Sequence, residues 1–363
     1  MKVATILGTR PELIRLSVII HKLDQLAKEH ILIHTGQNYT DSLSSLFFRQ
    51  MDIRDPDYRV QLTSHAFGPQ TGQMFQEVGS LLEQERPDCV LVLGDTNSAL
   101  CAIVAERMGI PVYHMEAGNR CHDMLVPEEK NRRVIDAVST YNLPYTMLSR
   151  ENLLREGMHP QRIWVSGNPI YEVMQHYKQD IQSSTILEQL QLGEKQYMVV
   201  TAHRAENVDR KERLQHILAA LEKLADEHKQ PIICSWHPRT RARMAQFGLE
   251  VHHPLIQLME PIGFFDFVKL QQHARCIITD SGTVQEESCI LGVPSVTIRN
   301  STERPETIMC GSNVLSGLDA GRITDCVNLM LQVQRTWELP EGYGDNSVSD
   351  KVVSMILGGV NHV

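Results

Sequence analysis

No stretch of this sequence approaches the ~20 consecutive apolar residues that a membrane-spanning helix needs. Its N-terminus, MKVATILGTR, has neither the apolar core nor the small-residue cleavage site of a secretory signal. Basic residues are in deficit: 35 Lys+Arg against 44 Asp+Glu leave a net charge of −9. That balance argues against nucleic acid or an anionic membrane as the main partner, while a locally basic pocket can still take an anionic small molecule. The eight cysteines (89, 101, 121, 234, 276, 289, 310, 326) include no CxxC pair, and several sit inside apolar runs. This points to reduced, buried thiols in a cytoplasm rather than a disulfide framework. HExxH and EF-hand loops are missing, and the adjacent His252 and His253 are badly placed to share an ion, so no metal is expected. There is no GxGxxG, so a nicotinamide cofactor is unsupported, and there is no repeat or low-complexity tract.

The sequence does contain a regular alternation. Hydrophobic content of 42% and charged content of 22% over 363 residues describe a globular chain too long for one ordinary core. The runs VATIL, ILIHT, CVLVLG, IPVYHM and YNLPYT read as strands in the first half, and YMVVTAH, PIICSWH, RCIITDSG and VPSVTIR in the second. Amphipathic stretches such as PELIRLSVIIHKLDQL and DRKERLQHILAALEKLADEH lie between them. Alternating strands and helices predict parallel, doubly wound α/β sheets. The pattern restarts near residue 197 after a polar stretch, which gives an N-terminal domain over 1–168 and a C-terminal domain over 169–345. Residues 346–363 form a closing helix that can dock back on the first domain.

In such folds ligands gather at the carboxyl ends of the strands, so the segments there carry the chemistry. GTRPELIR places Gly8 and Arg10 in a strand-to-helix turn and Arg15 a turn further on. Helix-terminal amides with guanidinium groups suit phosphate oxygens, although an ordinary turn with surface arginines has the same look. DSGTVQEES repeats the logic: Ser281, Gly282 and Thr283 can donate to a phosphate, and Glu287 one turn in can accept from ribose hydroxyls. A capped helix with solvated glutamates is the bland alternative. One such turn per domain suggests a nucleotide held in a cleft faced by both. His203 and His237 end successive strands beside arginines, and they suit a diphosphate.

The stretch MEAGNRCHDMLVPEEKNRR, residues 115–133, empties a predicted strand into charges of both signs. Asp95 in GDTNS ends one strand, Glu116 ends the next, and Glu128 follows Pro127 at a helix start. A strand-end Asp is often just a helix cap. Three carboxylates with basic groups in reach are, however, the equipment of general acid–base chemistry.

The segments GTRPE, GQ in HTGQNY, GDT, HMEAG, PEE with NR, GN, HR with EN, DSG with QEE, LG with P, and TERPE follow one another along the chain. With them the chain resembles the non-hydrolysing UDP-N-acetylglucosamine 2-epimerase family over essentially its whole length. The resemblance implies two Rossmann-like domains of the glycosyltransferase-B type, a homodimer, UDP in the cleft and no cofactor. It implies that C2 epimerisation proceeds through loss of UDP from C1, giving a 2-acetamidoglucal. By motif, Asp95, Glu116 and Glu128 become the acid/base candidates, with His203 beside the leaving diphosphate. Arg10, Arg15, Ser281, Gly282, Thr283, Glu287, His237 and Arg299 become nucleotide contacts, Gln37 and Arg120 border the sugar or an effector region, and Arg132 is a further substrate or UDP contact.

Departures mark the sugar end. Many members read GLRT and SPWPEE where this chain has GNRC and LVPEE, with a loop two residues shorter. HMEAGNRC, VPEE and HPRTR are closer to the branch acting on 6-deoxy sugars in UDP-N-acetyl-L-fucosamine synthesis, whereas VTIRNSTERPET is closer to the N-acetylglucosamine enzymes. The expected substrate is UDP-N-acetylglucosamine, with a UDP-6-deoxy-N-acetylhexosamine or a hydrolysing variant of the reaction as alternatives. A glycosyltransferase would want a basic, membrane-facing acceptor surface, and a nucleotide-sugar sensor would not need the carboxylates.

Overall fold

The computed structural model describes residues 1–37, 41–64, 66–332 and 336–359. The chain divides into two compact units, residues 1–176 with 341–363, and residues 177–340. The first unit carries strands β1 (Lys2–Leu7), β2 (Glu29–His34), β3 (Tyr58–Arg59), β4 (Cys89–Leu93), β5 (Val112–Met115) and β6 (Tyr141–Leu143), ordered β3-β2-β1-β4-β5-β6. The second carries β7 (Met198–Thr201), β8 (Ile232–Ser235), β9 (Ile256–Met259), β10 (Cys276–Thr279), β11 (Ser295–Thr297) and β12 (Asn313–Leu315). Its order, β9-β8-β7-β10-β11-β12, is that of the first sheet element for element. The strands of both sheets pair in parallel. Each unit is therefore the doubly wound α/β arrangement predicted from the alternation.

Every residue of β4, β7 and β10 is buried. Parallel strands covered by helices on both faces bury both sets of alternating side chains, which is why CVLVL, MVVT and CIIT are continuous apolar runs. Ile6, Ile33, Val90 and Val92 meet Val78 and Leu82 of helix Phe67–Glu85 in one core. In the second unit, Val200, Cys234 and Ile278 share a core with Leu214, Ile217 and Leu221 from one face of helix Lys211–His228.

The seam lies later than the sequence suggests. Helix Pro169–His176, assigned above to the second half, packs in the first unit on helices Arg10–Leu26 and Val348–Leu357. Val348, Val352, Val353 and Ile356 of the closing helix are buried there, at the spacing of one helical face. Glu172 accepts from the Ser349 amide at 2.7 Å and from its hydroxyl, and Lys22 pairs with Asp350.

Candidate active site

The strand order reverses between β1 and β4 in the first unit and between β7 and β10 in the second. The loops leaving those four strands flank the topological switch points, where doubly wound folds hold ligands.

Beyond β1 the chain turns through Gly8 and Thr9 into helix Arg10–Leu26. A Cβ on Gly8 would lie 2.1 Å from Thr35 Oγ1 and 2.2 Å from Ser98 Oγ, so only glycine fits this approach. The amides of Gly8 and Thr9 donate to Glu12 Oε2 at 3.0 and 2.7 Å, and Thr96 Oγ1 donates to Glu12 Oε1 at 2.7 Å. Glu12, overlooked in the sequence, thus straps the GTRPE turn to the GDTNS loop and occupies amides that a phosphate would otherwise use. Gln37 Oε1 accepts from both the amide and the hydroxyl of Ser98 at 2.9 Å, while Asn38 and Tyr39 of the same segment lie outside the described residues. Arg10 is exposed, with its guanidinium 5.2 Å from the centroid of the Phe47 ring.

Burial pushes the Glu12 carboxyl up to about 7, against hydrogen bonds from Thr9, Thr96 and Gly8 that favour its charge. A raised folded value means that Glu12 stabilises the fold fully below its unfolded pKa near 4.5, progressively less above it, and no longer beyond about pH 7. Glu12→Gln preserves the shape, since its amide oxygen can accept from the two backbone groups and its NH2 can face Thr96. Relative to this variant, wild-type unfolding free energy in urea should fall by roughly 2–3 kcal/mol between pH 5 and 8. Parallel pH curves for the two proteins would refute the assignment.

Two predicted carboxylates are brought together beside β4 and β5. Glu116 follows β5 with φ +66°, in the left-handed region that a non-glycine residue rarely adopts. Its side chain, 6% exposed, pairs with the buried guanidinium of Arg15 and accepts from Tyr145 OH at 3.4 Å. The Cβ position of Gly94 is only 3.9 Å from the Glu116 carboxyl carbon, and Gly94 is the neighbour of Asp95. Asp95 pairs with Arg132 Nη2 at 2.6 Å. Arg132 also donates to Glu129 Oε2 at 3.1 Å, and the Cys121 amide reaches the same oxygen at 3.0 Å. Burial pushes the Glu129 carboxyl up, but the Cys121 amide and the Arg132 charge together hold it below the ordinary carboxylate range. Of the PEE pair, Glu129 is therefore the buried strut, and Glu128, in the first turn of helix Pro127–Val138, is half-buried.

Arg120 has a different place. It is buried, its Nη2 lies 2.7 Å from Asp136 Oδ2, and it forks onto Glu156 at 2.9 and 2.5 Å. Asp136 lies 2.9 Å from His114 Nδ1, and His114 Nε2 lies 2.8 Å from Gly94 O. Arg120 thus belongs to a buried chain of polar contacts that leads back to the Gly94–Asp95 turn.

In the second unit the organising group is Asp280, which sequence reasoning quoted within DSG but did not single out. Fully buried at the end of β10, its Oδ2 accepts from the His203 and Arg204 amides and from Asn207 Nδ2, each at 2.9 Å. His203 Nδ1 lies 3.2 Å from Oδ1, and the His203 and His237 ring centroids are 6.0 Å apart. His237 Nδ1 accepts from the Arg239 amide at 3.2 Å, capping helix Pro238–Phe247. The turn after Asp280 leads through Ser281 to Gly282 and Thr283 in the first turn of helix Gly282–Ile290. A Cβ on Gly282 would sit 2.5 Å from Glu303 Oε1. Glu303 in turn holds Arg299 at 2.9 Å and Arg204 at 3.3 Å. Arg299 is 2% exposed, and its Nη2 has no hydrogen-bond partner among the described residues. Glu287 is buried and accepts from Gln271 Nε2 at 2.6 Å, while the adjacent Glu286 pairs with Arg304. Among the described residues no group of three His, Cys, Asp or Glu side chains is arranged to hold a metal ion.

The family model for UDP-N-acetylglucosamine 2-epimerase matches residues 21–357. This chain belongs to that family. It is 39% identical to the UDP-N-acetylglucosamine 2-epimerase of Methanococcus maripaludis, over 98% of both chains. The UDP-2,3-diacetamido-2,3-dideoxy-D-glucuronate 2-epimerase of Pseudomonas aeruginosa is 33% identical over 98% of this chain and 99% of its own, so relatives with different sugars stand within reach. Among solved structures, the Methanocaldococcus jannaschii UDP-GlcNAc 2-epimerase in complex with UDP-GlcNAc and UDP superposes with a TM-score of 0.94 at 37% identity, covering 99% of this chain and 100% of that one. The buried Arg15–Glu116 pair stands next to the Gly94–Asp95 turn, whose Asp95 pairs with Arg132.

Proposed function

We propose that this protein is a non-hydrolysing 2-epimerase that interconverts UDP-N-acetylglucosamine and UDP-N-acetylmannosamine by eliminating and re-adding UDP. The observation that carries the reading is Glu116, held in an unusual backbone conformation with Arg15 on one side and the Gly94–Asp95 turn next to its carboxyl. The C2 proton has no neighbouring ring carbonyl to acidify it. Removing it becomes feasible when the C1–O bond breaks and UDP departs with the electron pair, leaving a 2-acetamidoglucal. UDP then returns to C1 while a proton is delivered to the other face of C2. One carboxylate must accept the first proton and another group must supply the second, which gives Asp95, Glu116 and Glu128 their roles. Cationic groups that bind the diphosphate more tightly as it leaves lower the barrier further. His203 and His237, and Arg299, whose Nη2 has no hydrogen-bond partner among the described residues, are the second unit's groups for that task.

The reading extends to a homodimer in a reducing cytoplasm, with all eight cysteines as free thiols. Its product would be an amino-sugar donor for surface polysaccharide. A UDP-6-deoxy-N-acetylhexosamine is the second reading. It is favoured by the segment Asp123–Val126, where Leu125 is 90% exposed and stands in the short loop before Pro127.

In D₂O, NMR of the product formed from UDP-N-acetylglucosamine should show deuterium at C2 and intact UDP-N-acetylmannosamine rather than free sugar. Complete retention of the C2 hydrogen, with no UDP ever detected, would refute elimination. Free N-acetylmannosamine would make the enzyme a hydrolase. Faster exchange on the 6-deoxy substrate in the same tube would select the second reading.

A further inference from the structure

Helix Gly282–Ile290 carries Cys289 in its last turn, and helix Pro305–Met309 is followed directly by Cys310. Their sulfurs are 3.7 Å apart. Cys289 is fully buried, while Cys310 is partly exposed beside Met309, which is 76% exposed. The Cys310 sulfur also lies 3.4 Å from both the Thr307 carbonyl and the Ser312 hydroxyl. One thiol of the pair therefore opens to solvent and the other is held immediately behind it. We propose that Cys289 and Cys310 form a modification site, a dithiol that a hydroperoxide converts into an intrachain disulfide.

The electrostatics give the two sulfurs different parts. The hydrogen bond with Cys289, followed by that with Ser312, holds the Cys310 thiol below its ordinary value, whereas the same bond and burial push Cys289 up. Cys310 is thus the attacking thiolate and Cys289 the proton-bearing partner. By contrast, burial pushes Cys89 and Cys101 up to about 12, so these thiols are inert at neutral pH.

In the first step the Cys310 thiolate attacks the hydroperoxide. An S–O bond forms, the O–O bond breaks, and the alkoxide or hydroxide leaves as it takes up a proton. In the second, Cys289 gives its proton to solvent and attacks the Cys310 sulfur. The S–S bond forms, the S–O bond breaks, and hydroxide departs as water. Two thiols and one hydroperoxide yield one disulfide, one alcohol (or water) and one water, with two electrons passing from sulfur to oxygen. The sulfurs must close from 3.7 Å to about 2.05 Å, a movement that side-chain rotation and a small helix shift can supply. The pair uses none of the proposed acid–base residues, and its chemistry does not depend on which sugar is the substrate.

The test is to treat the folded full-length protein with hydrogen peroxide at pH 7 and map its peptides without reduction. A Cys289–Cys310 linked peptide should appear at least ~10-fold faster than oxidation of the half-buried Cys121, and dithiothreitol should reverse it, as expected for a thiolate with a resolving partner. In Cys289→Ala, dimedone should trap a sulfenic acid at Cys310, and if that variant fails to fold the wild-type peptide map still decides the proposal. Absence of the linked peptide, or its appearance only after urea unfolding, would overturn the proposal. So would labelling of Cys310 no faster than Cys121.

Discussion

Glu116→Gln is expected to lower kcat for epimerisation by on the order of 10²-fold or more while the fold and nucleotide binding persist. The amide oxygen can still accept from Arg15, which is 2% exposed, so the replacement does not strand a buried charge without any acceptor. What the amide lacks is a proton site that cycles. Asp95→Asn and Glu128→Gln carry the same expectation for the same reason, and Glu129→Gln makes a contrast. Glu129 holds Arg132 and the Cys121 amide, so its loss should act mainly on stability. Progress curves by NMR, with circular dichroism to verify folding, separate these outcomes. Near-wild-type turnover in all three of Glu116→Gln, Asp95→Asn and Glu128→Gln would sink the acid–base assignment.

Asp280→Ala should be the most damaging substitution in the second unit. It removes the shared acceptor of the His203 and Arg204 amides and of Asn207 Nδ2. The Asn207 donor is buried and the two amides are partly buried, so at about 1–3 kcal/mol for a fully stranded donor and less for groups that water can reach, a loss of roughly 2–4 kcal/mol in unfolding free energy is expected. Asn207 also donates to the Ile298 carbonyl at 3.1 Å, so the disturbance reaches the segment that carries Arg299. UDP affinity by calorimetry should fall with it. Asp280→Asn can place its single carbonyl oxygen at the crowded position and should recover most of the loss. An alanine variant as stable as wild type would show that the loop is organised by something else.

The large apolar strands were readable because parallel strands covered on both faces leave runs of four to six apolar residues. Three strands escaped. Tyr58–Arg59 has two residues, Asn313–Leu315 has three, and Ile256–Met259 has exposed residues at its centre. None is long enough, or buried enough, to impose a pattern on composition. Asp95 and Glu116 could be singled out because they closely follow strands, and strand ends in this fold face ligands. Glu12 and Asp280 were not, because what defines them is an acceptor role toward groups far away in the chain. Thr96 is 84 residues from Glu12, and His203 is 77 from Asp280. The same limit applied to Glu287, chosen for ribose hydroxyls before Gln271 was visible beside it, and to Arg120, whose partners Asp136 and Glu156 lie further along the chain. Only for Glu129 and Arg132, three residues apart on one helix, was a local rule available to sort strut from candidate.

The closing helix has a consequence for how the protein is made. The first unit consists of residues 1–176 and 341–363, so its fold is interrupted by the whole of the second. A ribosome adding ~5–20 residues per second needs roughly ten to forty seconds to pass from the end of the first segment to the helix that completes it. During that interval helices Arg10–Leu26 and Pro169–His176 stand without the strip formed by Val348, Val352, Val353 and Ile356. The second unit, contiguous over 177–340, can finish first. The half of the protein synthesised earliest is therefore completed last, and a nascent chain released shortly before residue 348 would carry a finished second unit beside an unsealed first one.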